Sequence, residues 1–161
     1  MTTDKKATTD KKTTTDKKTT TDKKTTDNKA TVVDVNDSDD IVTARQAGNH
    51  LAQDLGFSLT DVTMIATAIS EIARNITSYA GRGVIRIDVQ DREGRRALVV
   101  HAEDAGPGIR DIERAMEEGY STGRGLGLGL PGARRLMDRL TVDSVPGRGT
   151  IIEMWKWTPL R

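Results

Sequence analysis

Cysteine is absent from the 161-residue chain. Disulfides, thiol nucleophiles and Cys-ligated zinc or iron–sulfur centres are thereby excluded. Aromatic residues make up only 3% and hydrophobic residues 35%, both low for a packed protein. No run of about 18 apolar residues occurs, so no transmembrane helix is expected. No apolar stretch follows the first lysines, so the start does not read as a signal peptide. The two histidines, His50 and His101, stand far apart without metal-ligand spacing. A strong charge of one sign is also missing, since the formal net charge is +1. That balance is uneven: residues 1–30 hold nine Lys against five Asp, and residues 31–161 are net negative by three. A mildly acidic folded part argues against a nucleic-acid-binding surface. The expectation is a soluble cytoplasmic protein with no nucleic-acid and no membrane partner.

The length suits one domain. Residues 1–31 read as a disordered Thr/Asp/Lys low-complexity tail, and 32–161 as the domain. Asp recurs at Asp4, Asp10, Asp16 and Asp22, a period of six that fits no heptad or solenoid repeat. Such a segment cannot bury enough apolar area to offset its ordering entropy. It is either an electrostatic tether or, the reading preferred here, an inert or solubilising extension.

Residues 31–43 read as a short edge strand and a turn. Ser38, Asp39 or Asp40 then caps a helix over Ile41–Leu55. The clearest helix is 60–79, with Val62, Ile65, Ala66, Ile69, Ile72, Ala73 and Ile76 at helical spacing. Ser58 and Asp61 fit a capping box, and Gly81 and Gly83 stop the helix. Residues 84–90 and 97–103 alternate as a hairpin with Ile85, Ile87 and Val89 on one face, and Gly94 in the turn. His101 lies in the return strand as a structural residue. A short helix covers 111–118, a second covers Ala133–Leu140 with Pro131 near its first turn, and strands cover Thr141–Val145 and Thr150–Trp157. Trp155 and Trp157 share a strand face and are read as core at the chain end rather than as a partner patch.

Four places carry chemistry. Glu71 and Asn75, four apart on the long helix, sit one above the other at the border of its apolar stripe. An acid and an amide there are able to face one cleft, although a solvated pair at a helix edge is the commoner outcome. Asp104-Ala105-Gly106-Pro107-Gly108 follows a strand. Glycine there lets backbone approach a flat ligand, and an ionised Asp is acceptor-only, suiting an exocyclic amine. The bland alternative is an ordinary turn. Residues 119–132 contain six glycines and run into a helix, a pattern able to aim backbone N–H groups at phosphates. No Walker pattern occurs. Gly127, Gly129 and Gly132 satisfy GxGxxG literally, but no strand precedes them in a βαβ unit, so the match is a decoy. Gly147-Arg148-Gly149-Thr150 makes the last turn.

The order of these motifs resembles the ATP-binding fold shared by gyrase, heat-shock protein 90, histidine kinases and the mismatch-repair ATPases, over about residues 38–157. That resemblance implies an α/β (α+β) two-layer sandwich with a mixed, largely antiparallel sheet and helices on one face. Within the superfamily, DIVTARQAG, TAISEIARNI, AEDAGPGI, MEEGYSTGRGLGLGLPG and RRLMDRL are similar to the RsbT-type switch kinases of bacterial stress signalling. The resemblance implies a serine/threonine protein kinase that uses ATP and Mg2+. It implies STAS-domain antagonist and stressosome scaffold proteins as substrates and a PP2C-type phosphatase as the partner then activated. It also implies roles: Glu71 as the base for the incoming hydroxyl and Asn75 as the magnesium ligand. Asp104, with Gly106 and Gly108, would hold adenine, supported by Thr150. Gly125, Gly127 and Gly129 would wrap the phosphates, with Arg74 and Arg124 as further phosphate contacts. The alternative is an anti-sigma factor of the same fold that sequesters a sigma factor. A detached histidine-kinase domain is disfavoured, since neither histidine sits in a phosphoacceptor hairpin.

Overall fold

The computed structural model describes residues 30–119 and 129–160. The low-complexity tail up to residue 29 and the loop residues Arg124, Gly125 and Gly127 lie outside the described residues. Strand β1 (Thr31–Val35) leads into helix α1 (Ser38–Asp54). The cap of α1 is Asp37, not Ser38, Asp39 or Asp40 as expected. Asp37 Oδ1 accepts from the Asp39 and Asp40 N–H groups at 2.9 and 3.1 Å, while Asp40 Oδ2 accepts from the Asp37 N–H at 3.3 Å. Only the Asp37/Asp40 pair has the three-residue spacing of a reciprocal box, which decides among four neighbouring carboxylates and hydroxyls.

Helix α2 (Leu59–Asn75) starts at Ser58, whose Oγ accepts from the Asp61 N–H at 3.1 Å. Its apolar stripe is buried as the periodicity predicts: Ile65, Ile69 and Ile72 are wholly enclosed. Each such side chain contributes roughly 1.5–3 kcal/mol of burial. The α-helix ends at Asn75, and Ile76–Ala80 continue as one π turn to Gly81. The expected boundary at residue 79 therefore spans two kinds of helix.

Strands β2 (Gly83–Arg92) and β3 (Arg95–Asp104) form the predicted hairpin and run further than expected. The turn is only Glu93 and Gly94, both with positive φ (53° and 75°), the conformation a two-residue hairpin loop needs. Helix α3 (Ile112–Ala115) is short and capped by Asp111. Helix α4 covers Gly129–Leu136 instead of Ala133–Leu140. Leu130 and Ala133 enter the core, which holds the glycine-bearing first turn in a helix. Beyond Leu136 the chain is taken by the sheet. The Asp138 N–H donates to the Trp155 carbonyl at 2.9 Å, and Lys156 Nζ donates to the Leu136 carbonyl at 3.1 Å. Leu140 accordingly belongs to β4 (Arg139–Val145), which pairs with β5 (Gly149–Trp157).

The five strands lie in the order β1-β2-β3-β5-β4. All four neighbouring pairs are antiparallel, and β1 is an edge strand as expected. Ile85, Ile87, Leu98, Val100, Ala102, Ile152 and Met154 meet α1, α2 and α4 on one face in the main core. The opposite residues of the same strands form a small second cluster of Ala97, Val99 and Trp155, with Trp157 against it. The tryptophans are thus packed, but on the face away from the helices. Arg92 and Arg95 lie over the Trp155 and Trp157 rings at 5.2 and 5.3 Å. Among the described residues no helix is long and apolar enough to cross a membrane.

The cap assignment predicts that Asp37→Ala destabilises the protein by about 1 kcal/mol, against a few tenths for Asp39→Ala. Urea unfolding of the two variants checks this, and equal losses would return the cap to an open choice.

Candidate functional site

Sheet register builds one half of the site. Gly83, Asp104, Thr150 and Ser144 are successive cross-strand partners on β2, β3, β5 and β4. Strand alternation puts them in one row on the helix-covered side. Thr150 is buried and Asp104 half-buried. Asp104 Oδ1 accepts from the Gly106 N–H at 2.9 Å, an Asx-type turn that fixes the carboxylate. The two glycine turns interlock beside this row. The Gly147 N–H donates to the Pro107 carbonyl at 2.8 Å. A Cβ on Gly149, whose φ is +123°, would run into the Asp104 carbonyl. Gly108 has φ +72° and lies against Val145 and Pro146. Gly106, Gly108 and Gly149 thus allow close packing against neighbouring protein, whereas the sequence-based expectation concerned approach of a ligand.

Helix α2 and the start of α4 build the other half. Glu71 is 4% exposed, so its charge needs compensation. Arg74 Nη1 donates to Glu71 Oε1 at 2.5 Å, an i,i+3 ion pair whose Arg side chain stays about one-third exposed at 32%. The Gly129 N–H donates to Glu71 Oε2 at 3.2 Å. That N–H belongs to the first turn of α4, where helix donors lack intrahelical partners and the dipole favours an anion. Arg74, which the resemblance assigns to a phosphate, here bonds the carboxylate of Glu71. Asn75 is half-buried one turn further along α2. Its side chain makes no hydrogen bond among the described residues.

The π turn joins the halves. A Cβ on Gly83 would lie 2.8 Å from Ile76 Cγ2, and a Cβ on Gly106 would lie 2.6 Å from Ala80 Cβ. The residue after Asn75 thus packs on the partner of Asp104, and the end of the π turn packs on the Asp104–Gly108 turn. A single-turn π segment often marks a functional site. On the outer side of the same sheet end, a cleft of about 440 Å3 is lined by Asp34, Asn36, Arg82, Val84 and Glu103 and touches Asp104 and Ala105. Its lining includes neither Glu71 nor Asn75.

Sequence reasoning missed Ser144. Its Oγ lies 2.9 Å from Thr150 Oγ1, accepts from the Ile109 N–H at 2.8 Å and donates to the Gly149 carbonyl at 2.9 Å. Counting back across the Pro146–Arg148 turn would have placed it opposite Thr150. The π turn left no signal in the residue pattern.

The donor set suits a magnesium nucleotide. Magnesium takes few protein oxygens and keeps water and phosphate ligands, so Asn75, whose side chain has no hydrogen bond among the described residues, would suffice to hold it. Among the described residues no group of three or more His, Asp or Glu side chains is arranged to hold a metal by itself.

Residues 60–160 match the family described as histidine kinase-, DNA gyrase B-, and HSP90-like ATPase. The chain is 53% identical to the serine/threonine-protein kinase RsbT of Bacillus subtilis (strain 168), over 73% of this chain and 89% of the relative. It is 31% identical to the anti-sigma F factor of Caldanaerobacter subterraneus subsp. tengcongensis over 71% of this chain and 82% of the relative. It is 33% identical to the anti-sigma F factor of Clostridium acetobutylicum over 70% and 82%.

Removing the guanidinium would leave a buried carboxylate with one backbone donor. Arg74→Ala is expected to cost about 2 kcal/mol in urea unfolding, with part of the loss recovered by adding Glu71→Gln. A change within about 0.5 kcal/mol of zero would contradict the pairing.

Proposed function

The chain belongs to the family of histidine kinase-, DNA gyrase B- and HSP90-like ATPases and is closely related to the RsbT-type regulators; from this premise we propose that it is a cytoplasmic Mg-ATP-dependent serine/threonine protein kinase of a bacterial stress-signalling partner switch. Its substrates in this reading are STAS-domain antagonist and stressosome scaffold proteins, and its later partner is a PP2C-type phosphatase. The domain is 32–161, extended by one residue at its start because Thr31 already pairs with Ile87 in β1. The observation that supports the reading best is the buried Glu71 on α2, held one turn from Asn75 and joined through the π turn to the Asp104–Thr150 row.

Adenine would lie against the row, with Asp104 accepting from its amine and Gly106 and Gly108 shaping the tight turn beside the ring. Thr150 supports the ring through its hydroxyl or a water. The phosphates run toward Asn75 and the N-terminus of α4, where Gly129 offers a backbone donor. Asn75 would hold magnesium together with phosphate oxygens, and the ion would supply charge neutralisation there. Glu71 accepts the proton of the incoming Ser or Thr hydroxyl as that oxygen bonds to the γ-phosphorus and the bond to the β-phosphate oxygen breaks. Phosphoryl transfer asks mainly for positioning and electrostatics. Arg74 meets that demand at Glu71 by fixing the carboxylate and balancing its charge. A phosphate drawn to α4 competes for the Gly129 N–H and so frees Glu71 Oε2. Arg124, Gly125 and Gly127 complete the phosphate contacts in this reading.

A second reading, a binding module that sequesters a sigma factor, draws support from the 31–33% identity to anti-sigma F factors. The higher identity to the kinase favours the first. Pull-down from a lysate of the source cells separates them, since recovery of a sigma factor without STAS proteins or phosphatase would favour the second.

Glu71→Ala is expected to lower phosphate transfer from labelled ATP to STAS proteins at least about a thousandfold while ATP binding persists. Undiminished transfer would remove Glu71 from the reaction. Asn75→Ala should weaken nucleotide binding in the presence of Mg2+ and leave binding in EDTA unchanged.

A further inference from the structure

Ser144 is a half-buried hydroxyl with three polar neighbours at 2.8–2.9 Å. A hydroxyl has one proton and two lone pairs. The Ile109 N–H only donates, so it takes one lone pair. The Gly149 carbonyl only accepts, so it takes the proton. With the Ser144 proton on the Gly149 carbonyl, the remaining capacity toward Thr150 is the second lone pair, and in that arrangement Thr150 Oγ1 donates to Ser144. The Thr150 proton is then spent, and the hydroxyl offers only lone pairs to a further partner beside Asp104. Asp104 stands next to Thr150 across the β3–β5 pair, and an ionised carboxylate also only accepts. This part of the row is consequently an edge of acceptors.

We infer that Ser144 is a base-specificity residue: by taking the Thr150 proton it fixes an acceptor pair, Asp104 and Thr150, that selects a 6-amino purine over a 6-oxo purine. The inference rests on the ATP-binding reading above and deepens it. An exocyclic amine supplies two N–H donors to such an edge, directly or through one water. A 6-oxo group brings lone pairs to lone pairs, and the adjoining N1 proton serves only one of the two acceptors. Ser144 acts through Thr150 and is a positioning residue. It also ties β4 to the turn after Asp104 through Ile109, so Thr150 and that turn keep one spacing.

The test is calorimetric titration of the full chain with Mg-ATP and Mg-ITP, which differ at the 6-position of the purine and the adjoining N1 proton. The wild type is expected to bind ATP about a hundredfold more tightly than ITP, the scale of discrimination left by unpaired polar groups. Ser144→Ala frees the Thr150 proton to serve an oxo group, and the ratio should fall about tenfold or more. Ser144→Thr keeps the hydroxyl and should keep the ratio. A Ser144→Ala protein that loses affinity for both nucleotides equally would overturn the inference and reduce Ser144 to a structural tie. If Ser144→Ala fails to fold by circular dichroism, Thr150→Val carries the test, since it removes the acceptor and an unchanged ratio overturns the proposal. Wild-type protein that binds both nucleotides equally sinks the inference alone. Wild-type protein that binds neither sinks the ATP reading with it.

Discussion

Antiparallel register across β2, β3, β5 and β4 is the constraint on which the site depends. It sets Gly83, Asp104, Thr150 and Ser144 side by side, although they come from chain segments up to 67 residues apart. A slip of one residue on any strand would turn that strand's member of the row to the opposite face. The register is held by the hydrophobic members of the same strands: Ile85, Ala102 and Ile152 face the helices two residues along from Gly83, Asp104 and Thr150. The core and the polar row are thus set by one alternation. Gly149 and Gly106 then allow neighbouring backbone to close on Asp104.

The second half of the site depends on electrostatics more than on packing. Glu71 is buried among apolar residues of α2 and answered by two donors of different kinds, a flexible guanidinium and a fixed helix-terminal N–H. The guanidinium comes from the same helix, so it moves with the carboxylate. The N–H comes from α4, so the Glu71–Gly129 bond records where the start of α4 stands relative to α2. An acid in this position is held in place without being exposed. Among the described residues the opposite face of the sheet carries no helix, and Trp155, Trp157 and two arginines laid over their rings close it.

Much of this was legible from local pattern. The helical spacing of Val62 to Ile76, the alternation of Ile85, Ile87 and Val89, and the four glycine- and acid-bearing motifs lead to the right elements in the right order. Helix α4 was displaced because glycine propensity argues against a helix through Gly129 and Gly132, whereas burial of Leu130 and Ala133 overrides that preference. Leu140 continued an apolar spacing that the sheet had already claimed. The N-cap of α1 was ambiguous among adjacent carboxylates until the reciprocal bond of Asp37 and Asp40 decided it. The face of the tryptophans depends on which side the helices cover, which alternation alone does not state. Ser144 escaped notice because its importance arises from Ile109, 35 residues away, and from Thr150 across a hairpin.

An amide NMR titration with Mg2+ and a non-hydrolysable ATP analogue tests most directly that the nucleotide lies between the row and α2. Progressive shifts are expected at Asn75, Gly106, Gly108, Gly129 and Thr150, with the indole signals of Trp155 and Trp157 unmoved. Shifts confined to the tryptophan face, or to the outer cleft around Asp34 and Glu103, with Asn75 and Thr150 silent, would contradict it.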